Sequence, residues 1–299
     1  MPASRRARME AVAVAPGDKW LATGSFDGTA ELWTTDGTPI RTLGRHRGAV
    51  LGVAFAPDGT WLATSDEHGP GRVWATEDGT LLYSLDTPLD QVSARGVYTG
   101  AVRAIVIAPD GEWLASGRED GLIQVWAAAD GTLLHTLDGH QGGIDTLAVS
   151  VGGRWLASGG KDETLRVWST ADWTLVHALS GHAGGIRSAA FAPSGTLLAA
   201  GQKDGSVRIW DAEEGTERRT LVADEGAVRA LAFSPDGQWL ASGSSKGTIR
   251  IWSMATNDTE STTAIRVDDT VAGCVWSTTK SVLYAVGTRG FYRFSLHPS

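Results

Sequence analysis

Hydrophobic and polar residues alternate in short runs along most of this chain, and turn-forming residues separate the runs. Residues 228–252, VRALAFSPDGQWLASGSSKGTIRIW, hold three such runs, broken at PDG (235–237) and at KG (246–247). A period of two predicts β-strands, and Asp-Gly pairs supply the backbone conformations that hairpin turns need. No helical period persists for more than one turn. The pattern therefore predicts an all-β chain of short antiparallel strands.

The same pattern recurs at a nearly constant period. The segment WLASGGKDETLRVW at 155–168 has close copies at 20–33, 113–126 and 239–252, each beginning and ending with tryptophan. The second tryptophan of each unit lies at positions 33, 74, 126, 168, 210 and 252, so the steps are 41, 52, 42, 42 and 42 residues. A further step of 42 reaches Phe294. Seven units, most of them with four strands, predict a seven-bladed β-propeller of four-stranded antiparallel blades.

We expect one propeller domain over residues 1–299. The units are predicted at 9–44, 45–86, 98–138, 139–180, 181–222, 223–266 and 267–297. The step of 52 residues predicts an inserted loop at 87–97, on the face that carries the Gly-His turns, here named the top face. Unit seven supplies strands at 271–276, 282–287 and 290–295. Its blade is expected to stay incomplete or to be closed by the N-terminus, unless the chain is part of a longer protein.

The units resemble WD40 repeats, and the resemblance covers essentially the whole chain. It rests on Trp210-Asp211 and on Gly-His at 139–140 and 181–182, with Arg45-His46 as a variant. The resemblance implies a buried, hydrogen-bonded tetrad of His, Ser or Thr, Asp and Trp in each blade. Unit four contains all four members, His140, Ser158, Asp162 and Trp168.

The other units lack one or more members of this tetrad. In unit two, His68 stands at the position of the aspartate, and in unit five Ala200 stands at that of the serine. Unit three has Ser116, Asp120 and Trp126 without the histidine. The polar residues of the repeated segment are therefore expected to bond one another inside the blades and not to carry chemistry.

Composition narrows the classes of function. A formal charge of −8 argues against a nucleic-acid binder, which needs a basic face. A single cysteine, Cys274, excludes an intrachain disulfide and a thiolate zinc site, and no His-x-x-x-His pair occurs, so no metal or cofactor is expected. No apolar run approaches 18 residues, so we expect no membrane span or membrane partner and a cytoplasmic location.

Catalytic motifs are scarce. The pattern G-x-S-x-G occurs once, as GSSKG at 243–247, but there it falls between two predicted strands and not at a strand-to-helix elbow. Gly160-Lys161 is followed by Asp162, whereas a phosphate-binding loop needs Ser or Thr. We therefore expect no catalytic residues and no enzyme.

The resemblance places partner contacts on the top face, just before the turn aspartate and near the start of each inner strand. The candidate residues are Arg103, Asp145, Lys161, Arg187, Lys203, Arg229, Glu67, Glu119 and Leu51. Four of them would form a basic sector over units four to six that binds a carboxylate or a phosphate-bearing segment. The alternative is a set of solvated rim charges that pair with neighbouring acids.

Two hypotheses for function remain. The first is a non-catalytic scaffold or sensor that binds a protein or peptide partner, acidic or phosphorylated, on the top face, or binds other domains of a longer parent chain. The second is a small-ligand-binding or enzymatic propeller that uses the central channel, whose mouth would carry Glu10, Asp145 and three arginines. An enzyme would need convergent titratable groups together with a nucleophile or a metal.

Overall fold

Seven antiparallel sheets form the seven blades of a β-propeller. The structure is a computed structural model and describes residues 8–86, 101–223, 226–256, 259–267 and 269–295. These residues contain 27 strands, four in each of the first six blades and three in blade seven. The predicted fold class is thereby confirmed, whereas the predicted insertion at 87–97 lies outside the described residues.

The strands of each blade follow one another in chain order from the channel outward. Blade one contains β1 (Met9–Val14), β2 (Leu21–Ser25), β3 (Thr29–Trp33) and β4 (Pro39–Arg45). Blade two contains β5 (Val50–Phe55), β6 (Trp61–Asp66), β7 (Gly71–Ala75) and β8 (Leu81–Leu85). Blade three contains β9 (Val102–Ile107), β10 (Trp113–Arg118), β11 (Leu122–Ala127) and β12 (Leu133–Asp138).

The remaining blades repeat this order. Blade four contains β13 (Ile144–Val149), β14 (Trp155–Gly160), β15 (Leu165–Ser169) and β16 (Leu175–Leu179). Blade five contains β17 (Ile186–Phe191), β18 (Leu197–Gln202), β19 (Ser206–Asp211) and β20 (Thr216–Val222). Blade six contains β21 (Val228–Phe233), β22 (Trp239–Ser244), β23 (Thr248–Ser253) and β24 (Thr263–Arg266). Blade seven contains β25 (Val271–Trp276), β26 (Val282–Gly287) and β27 (Gly290–Ser295), in agreement with the predicted strand positions.

Apolar clusters between neighbouring blades form the core. In each of the first five blades, a leucine of the outer strand packs with an aromatic residue of the following blade, as Leu43 does with Trp74. Both residues are nearly inaccessible to solvent. Inner strands contact each other in chain order, and β25 contacts β1, so that the ring closes. Burial of large side chains at every blade interface therefore holds the repeats together.

Blades one and seven are also joined on the bottom face, where the first two strands of each blade connect. Blade one reads Pro-Gly-Asp at this turn, and Asp18 adopts a left-handed conformation with φ of 56°. Five other blades have glycine at the equivalent position, including Gly59 with φ of 70°. The Asp18 carboxylate accepts hydrogen bonds from the Ser277 hydroxyl at 2.5 Å and from the backbone and hydroxyl groups of Thr278 and Thr279. Asp18 thus links the first blade to the last.

The tetrad predicted for unit four is present. His140 Nδ1 lies 2.9 Å from Asp162 Oδ1, and His140 Nε2 lies 2.7 Å from the Ser158 hydroxyl oxygen. Trp168 Nε1 donates to the same hydroxyl at 2.9 Å. Because the carboxylate accepts from Nδ1, the hydroxyl of Ser158 donates to Nε2, and the imidazole is neutral. Every polar group of this buried chain has a partner.

His68 stands at the aspartate position of unit two, but Asp66 supplies the acid that the unit was expected to lack. His46 Nδ1 lies 2.6 Å from Asp66 Oδ2, and Thr64 joins His46 Nε2 to Trp74 Nε1 through contacts of 2.8 Å. Asp66 ends strand β6, two residues before the predicted position, and also accepts from the backbone N–H of His68 at 2.8 Å. Burial alone would raise the pKa of Asp66, but the hydrogen bonds from His46 and His68 outweigh it and lower the pKa.

Unit three replaces the missing histidine with an arginine at the end of its second strand. The Arg118 guanidinium makes two hydrogen bonds with Asp120, at 3.1 and 2.9 Å, and a third with Gln124 at 3.2 Å. The side chains of Arg118 and Asp120 are almost fully buried. Because an unpaired buried carboxylate is costly, this bidentate pair fills the role that the imidazole has in unit four.

Unit five retains the histidine and tryptophan without their link. His182 is buried, and neither of its ring nitrogens has a hydrogen-bond partner among the described residues; the same holds for Trp210 Nε1. Ala200 stands where unit four has the bridging serine hydroxyl. Asp204, assigned to this tetrad from the sequence, instead caps its own turn by accepting from the backbone N–H and hydroxyl of Ser206.

The burial of His182 predicts that the free energy of unfolding falls in weak acid. Desolvation, helped by the nearby Arg208 charge, lowers the pKa of His182 to about 4. The unfolded chain takes up the proton near pH 6.5, so the stabilising effect is complete above that pH and is lost as the pH falls towards 4. We expect His182→Phe to remove about 2 kcal/mol of the stability difference between pH 7 and 4.5. Urea unfolding at both pH values measures this, and an unchanged difference would contradict it.

Candidate functional site

A β-bulge near the top of each inner strand selects the residues that face the channel. In β17, for example, the pairing with β18 skips from Ile186 to Ser188 and leaves Arg187 unpaired. The same irregularity occurs in the inner strand of every blade. The skipped residues are Glu10, Leu51, Arg103, Asp145, Arg187, Arg229 and Ala272. Bulges re-aim side chains in this way, and here they turn one residue per blade into the channel.

These seven residues line one cavity at the top of the channel. Its volume is about 380 Å³, and Lys203 and Ala227 complete its wall. The lining contains four cationic side chains and two carboxylates, so its formal charge is +2 in a protein of charge −8. The cavity mouth is therefore electropositive and has the size of a small-ligand site.

One chain of ion pairs crosses blades three, four and five. Asp145 accepts from Arg103 Nε at 2.9 Å on one side and from the Arg187 guanidinium at 2.5 Å on the other. Arg103 also reaches Glu119 at 3.1 Å, and Glu119 in turn pairs with Lys161. The order of charges is Lys161, Glu119, Arg103, Asp145, Arg187, so each acid lies between two bases. We name these residues the first charge chain.

A second, shorter chain links blades one and six. Glu10 Oε1 forms an ion pair with Arg8 Nε at 2.5 Å, and Glu10 Oε2 accepts a hydrogen bond from an Arg229 guanidinium nitrogen at 3.3 Å. The Glu10 side chain is only 4% exposed, so both arginines are needed to compensate its buried charge. Arg8 also lies 5.7 Å from the ring centre of Phe26, which is 60% exposed on the top face. The second charge chain is Arg8, Glu10 and Arg229.

The two charge chains end in neighbouring cations. Burial lowers the pKa of Arg229, Glu10 opposes this effect, and the charges of Arg8 and Arg187 lower the pKa further. Arg187 and Arg229 therefore repel each other across the border between blades five and six. Lys203, which also lines the cavity there, makes no ion pair with any described residue. We call Arg187, Lys203 and Arg229 the cationic seam.

The predicted basic sector is thus partly neutralised. The structure brings Arg187, Lys203 and Arg229 to one cavity, but Lys161 lies away from the cavity wall and pairs with Glu119. The alternative hypothesis was that the rim charges pair with neighbouring acids. Lys161, Arg187 and Arg229 form such pairs, whereas Lys203 forms none with a described residue. The role of these residues in binding remains a prediction.

The structure places only one of the remaining candidates, Leu51 and Glu67, at the cavity. Leu51 lines the cavity, whereas Glu67 lies outside its wall, with its Cβ near Gly48. Sequence reasoning missed Arg8 as a partner of Glu10, and it missed the pair of Glu10 with Arg229 because nothing in the local pattern connects blade one to blade six. Phe26 also occupies the position before a turn aspartate, and its aromatic ring is exposed, although it was not among the candidate residues.

The arrangement offers little for acid–base chemistry. The two cavity carboxylates, Glu10 and Asp145, are each held by two arginines. Strands β22 and β23 flank the GSSKG turn, as predicted. Within the ranges that the structure describes, no three His, Cys, Asp or Glu side chains come together as a metal site. In the same ranges, no helix has the length and apolar character needed to span a membrane.

Family comparisons agree with this architecture. The model of the family described as "IFT122 first beta-propeller" matches residues 101–294, well over half of the chain. The model described as "WD domain, G-beta repeat" matches residues 6–34 and 37–82, in the first two blades. The chain therefore belongs to the WD-repeat β-propellers, in the family of the IFT122 first β-propeller.

Proposed function

We propose that this protein is a non-catalytic interaction module whose top face binds an acidic or phosphorylated segment of a protein partner. WD-repeat propellers generally mediate protein–protein interactions and are typically non-catalytic scaffolds. The observation that carries the proposal is the electropositive cavity at the channel mouth of an acidic protein. Such a site attracts anions and repels the wrong partners.

Two further features support a peptide-sized ligand. Phe26 presents an exposed aromatic ring on the same face, and Leu51 adds an apolar part to the cavity wall. Aromatic anchors beside charged groups are typical of protein interfaces. The partner can equally be a segment of a longer parent chain. The cytoplasmic location expected from the sequence belongs to the same proposal.

The catalytic use of the channel is not part of this proposal. A general base has to be free to take a proton, whereas both cavity carboxylates are bound by arginines. Binding of an anion needs no such group. The cavity therefore supports recognition better than reaction.

Peptide binding tests the proposal. Four libraries of soluble 12-residue peptides, with a central serine, glutamate, phosphoserine or lysine, are compared by fluorescence anisotropy. We expect selective binding of the glutamate or phosphoserine libraries, weakened at least ten-fold by Lys203→Glu, because this lysine contributes charge without holding a buried acid. Raising the salt from 50 to 300 mM should also weaken binding.

Lys246→Glu is the matched control, because Lys246 is an exposed lysine of the next top-face turn that does not line the cavity. It makes the same change in net charge and should leave most of the affinity. Equal binding of the lysine library, no binding of any library, or equal losses in the two variants would contradict the proposal.

A further inference from the structure

The three cations of the cationic seam lie where both charge chains stop. Every acid of the two chains already lies between two bases: Glu119 between Lys161 and Arg103, Asp145 between Arg103 and Arg187, and Glu10 between Arg8 and Arg229. No carboxylate of the described residues lies between Arg187 and Arg229 in this sequence of pairs. The seam is therefore the one break in an otherwise alternating order of the described charges around the mouth.

The seam retains hydrogen-bond donors. Arg187 uses one guanidinium nitrogen for Asp145, and Arg229 uses one for Glu10. Their other N–H groups, and the ammonium of Lys203, make no hydrogen bond with described residues. The Arg187 and Arg229 side chains are about one-third exposed, at 31% and 37%, so these donors are accessible from the cavity.

The net charge of the cavity wall favours a phosphate monoester over a carboxylate as the bound anion. Four cations and two carboxylates line it, so a ligand of charge −2 would neutralise the wall. A phosphate monoester carries roughly −1.5 to −2 at pH 7 and has three acceptor oxygens, whereas a carboxylate carries −1 and has two. Arginine forks also match the oxygen geometry of phosphate.

We propose that the cationic seam is a phosphate-monoester site, in which Arg187, Lys203 and Arg229 each face one oxygen of the phosphoryl group. This inference rests on the proposed function and makes it narrower. The phosphoryl group is carried by a side chain of the protein partner, so that the partner binds when phosphorylated. Asp145 and Glu10 are positioning residues, because they hold the two guanidinium groups at the rim of the cavity.

The test compares phenyl phosphate with benzoate, which share a ring and differ in the anion. Each is titrated into the full chain while the Nε–Hε signals of the arginine side chains are followed by NMR. We expect saturable shifts of Arg187 and Arg229 with phenyl phosphate and at least ten-fold weaker binding of benzoate. Lys203→Glu should weaken phenyl phosphate binding at least ten-fold, and Lys246→Glu should leave it within two-fold.

A second variant, Lys203→Met, keeps the length of the side chain and removes the charge without adding an acid. It should weaken phenyl phosphate binding less than Lys203→Glu does but more than the control. Unfolding midpoints equal to that of the wild type show that both Lys203 variants are folded. Unchanged affinity in both Lys203 variants, or absence of saturable shifts, overturns the phosphate site.

The outcomes separate this inference from the proposed function. Equal affinities for benzoate and phenyl phosphate overturn the preference for phosphate but leave an acidic peptide as the partner. A 12-residue phosphoserine peptide should bind at least ten-fold more tightly than phenyl phosphate, because its flanking residues contact the top face. Equal affinities for the peptide and phenyl phosphate would support a free phosphate ester as ligand and contradict a protein partner.

Discussion

Replacing Asp18 with asparagine is expected to lower the free energy of unfolding by about 3 kcal/mol, because it weakens the bond between the first and last blades. The carboxylate accepts from Ser277 and from the backbone and hydroxyl groups of Thr278 and Thr279, and it is only 8% exposed. An amide has one acceptor oxygen and turns N–H groups towards donors. Urea unfolding followed by tryptophan fluorescence measures the loss.

Asp36→Asn is the matched control in the same blade. Asp36 also accepts from neighbouring threonines, but it is exposed and its bonds stay within one turn. We expect a loss below about 0.5 kcal/mol, as for most surface substitutions. Equal losses in the two variants would show that Asp18 acts only within its own turn.

Asp18→Gly separates the backbone from the carboxylate. Glycine is the residue of five equivalent turns and relieves the left-handed strain, which is worth roughly 1 kcal/mol. Because we attribute the stabilisation by Asp18 to its link with blade seven, we expect the glycine variant to be less stable than the wild type in spite of this relief. A more stable glycine variant would contradict the link.

The ring closure should also respond to acid. Burial would raise the pKa of Asp18, but the hydrogen bonds from Ser277, Thr279 and Thr278 lower it to about 2. The ordinary value is 3.8, so the stabilisation by the carboxylate is complete above that pH and is lost as the pH falls towards 2. This loss should be absent in Asp18→Asn.

The second large effect is expected from Ser158→Ala, which should lower the free energy of unfolding by about 3 kcal/mol. The Ser158 hydroxyl is buried and bonds both His140 and Trp168. Its removal leaves an imidazole and an indole nitrogen without partners inside the blade, and each such group costs about 1–3 kcal/mol. Thermal or urea unfolding measures the change.

Unit five supplies the reverse experiment. Ala200→Ser places a hydroxyl between His182 and Trp210, whose ring nitrogens have no partner in the part of the chain that the structure describes. We expect a gain of about 1–2 kcal/mol from two new buried hydrogen bonds. Ala199→Ser is the control: it lies next in the same strand but faces an apolar cluster with Val207 and Trp252, so its hydroxyl should destabilise. A loss in Ala200→Ser as large as in Ala199→Ser would mean that His182 is not placed as His140 is.

Repetition explains why much of the site could be predicted. Arg187 and Arg229 occupy the same position in their units. Once that position is assigned to the channel in one blade, the equivalent residue of every other blade is assigned to the channel too. The structure places all seven of these residues at bulges in the channel wall. Departures from the repeat were harder to predict. In unit two, His68 stands at the aspartate position, and the carboxylate that bonds His46 belongs to Asp66, two residues earlier at the end of its strand.

Pairing of charges could not be predicted from the pattern. Lys161 and Lys203 occupy the same position in consecutive units, yet Lys161 pairs with Glu119 and Lys203 has no described acid within reach. The outcome depends on which side chain the preceding blade presents. A period describes where side chains lie along a strand, whereas an ion pair depends on distances between strands.

The sequence by itself determined the number of blades, the strand positions in blade seven and the residues that enter the channel, because alternation and period are local properties of the chain. Only the tertiary structure decided which of these residues meet. Arg229 and Glu10 are 219 residues apart, and Asp18 and Ser277 are 259 residues apart. Closing the ring brings the two ends of the chain together, and it thereby creates both the link at Asp18 and the charge chain that ends at the cationic seam.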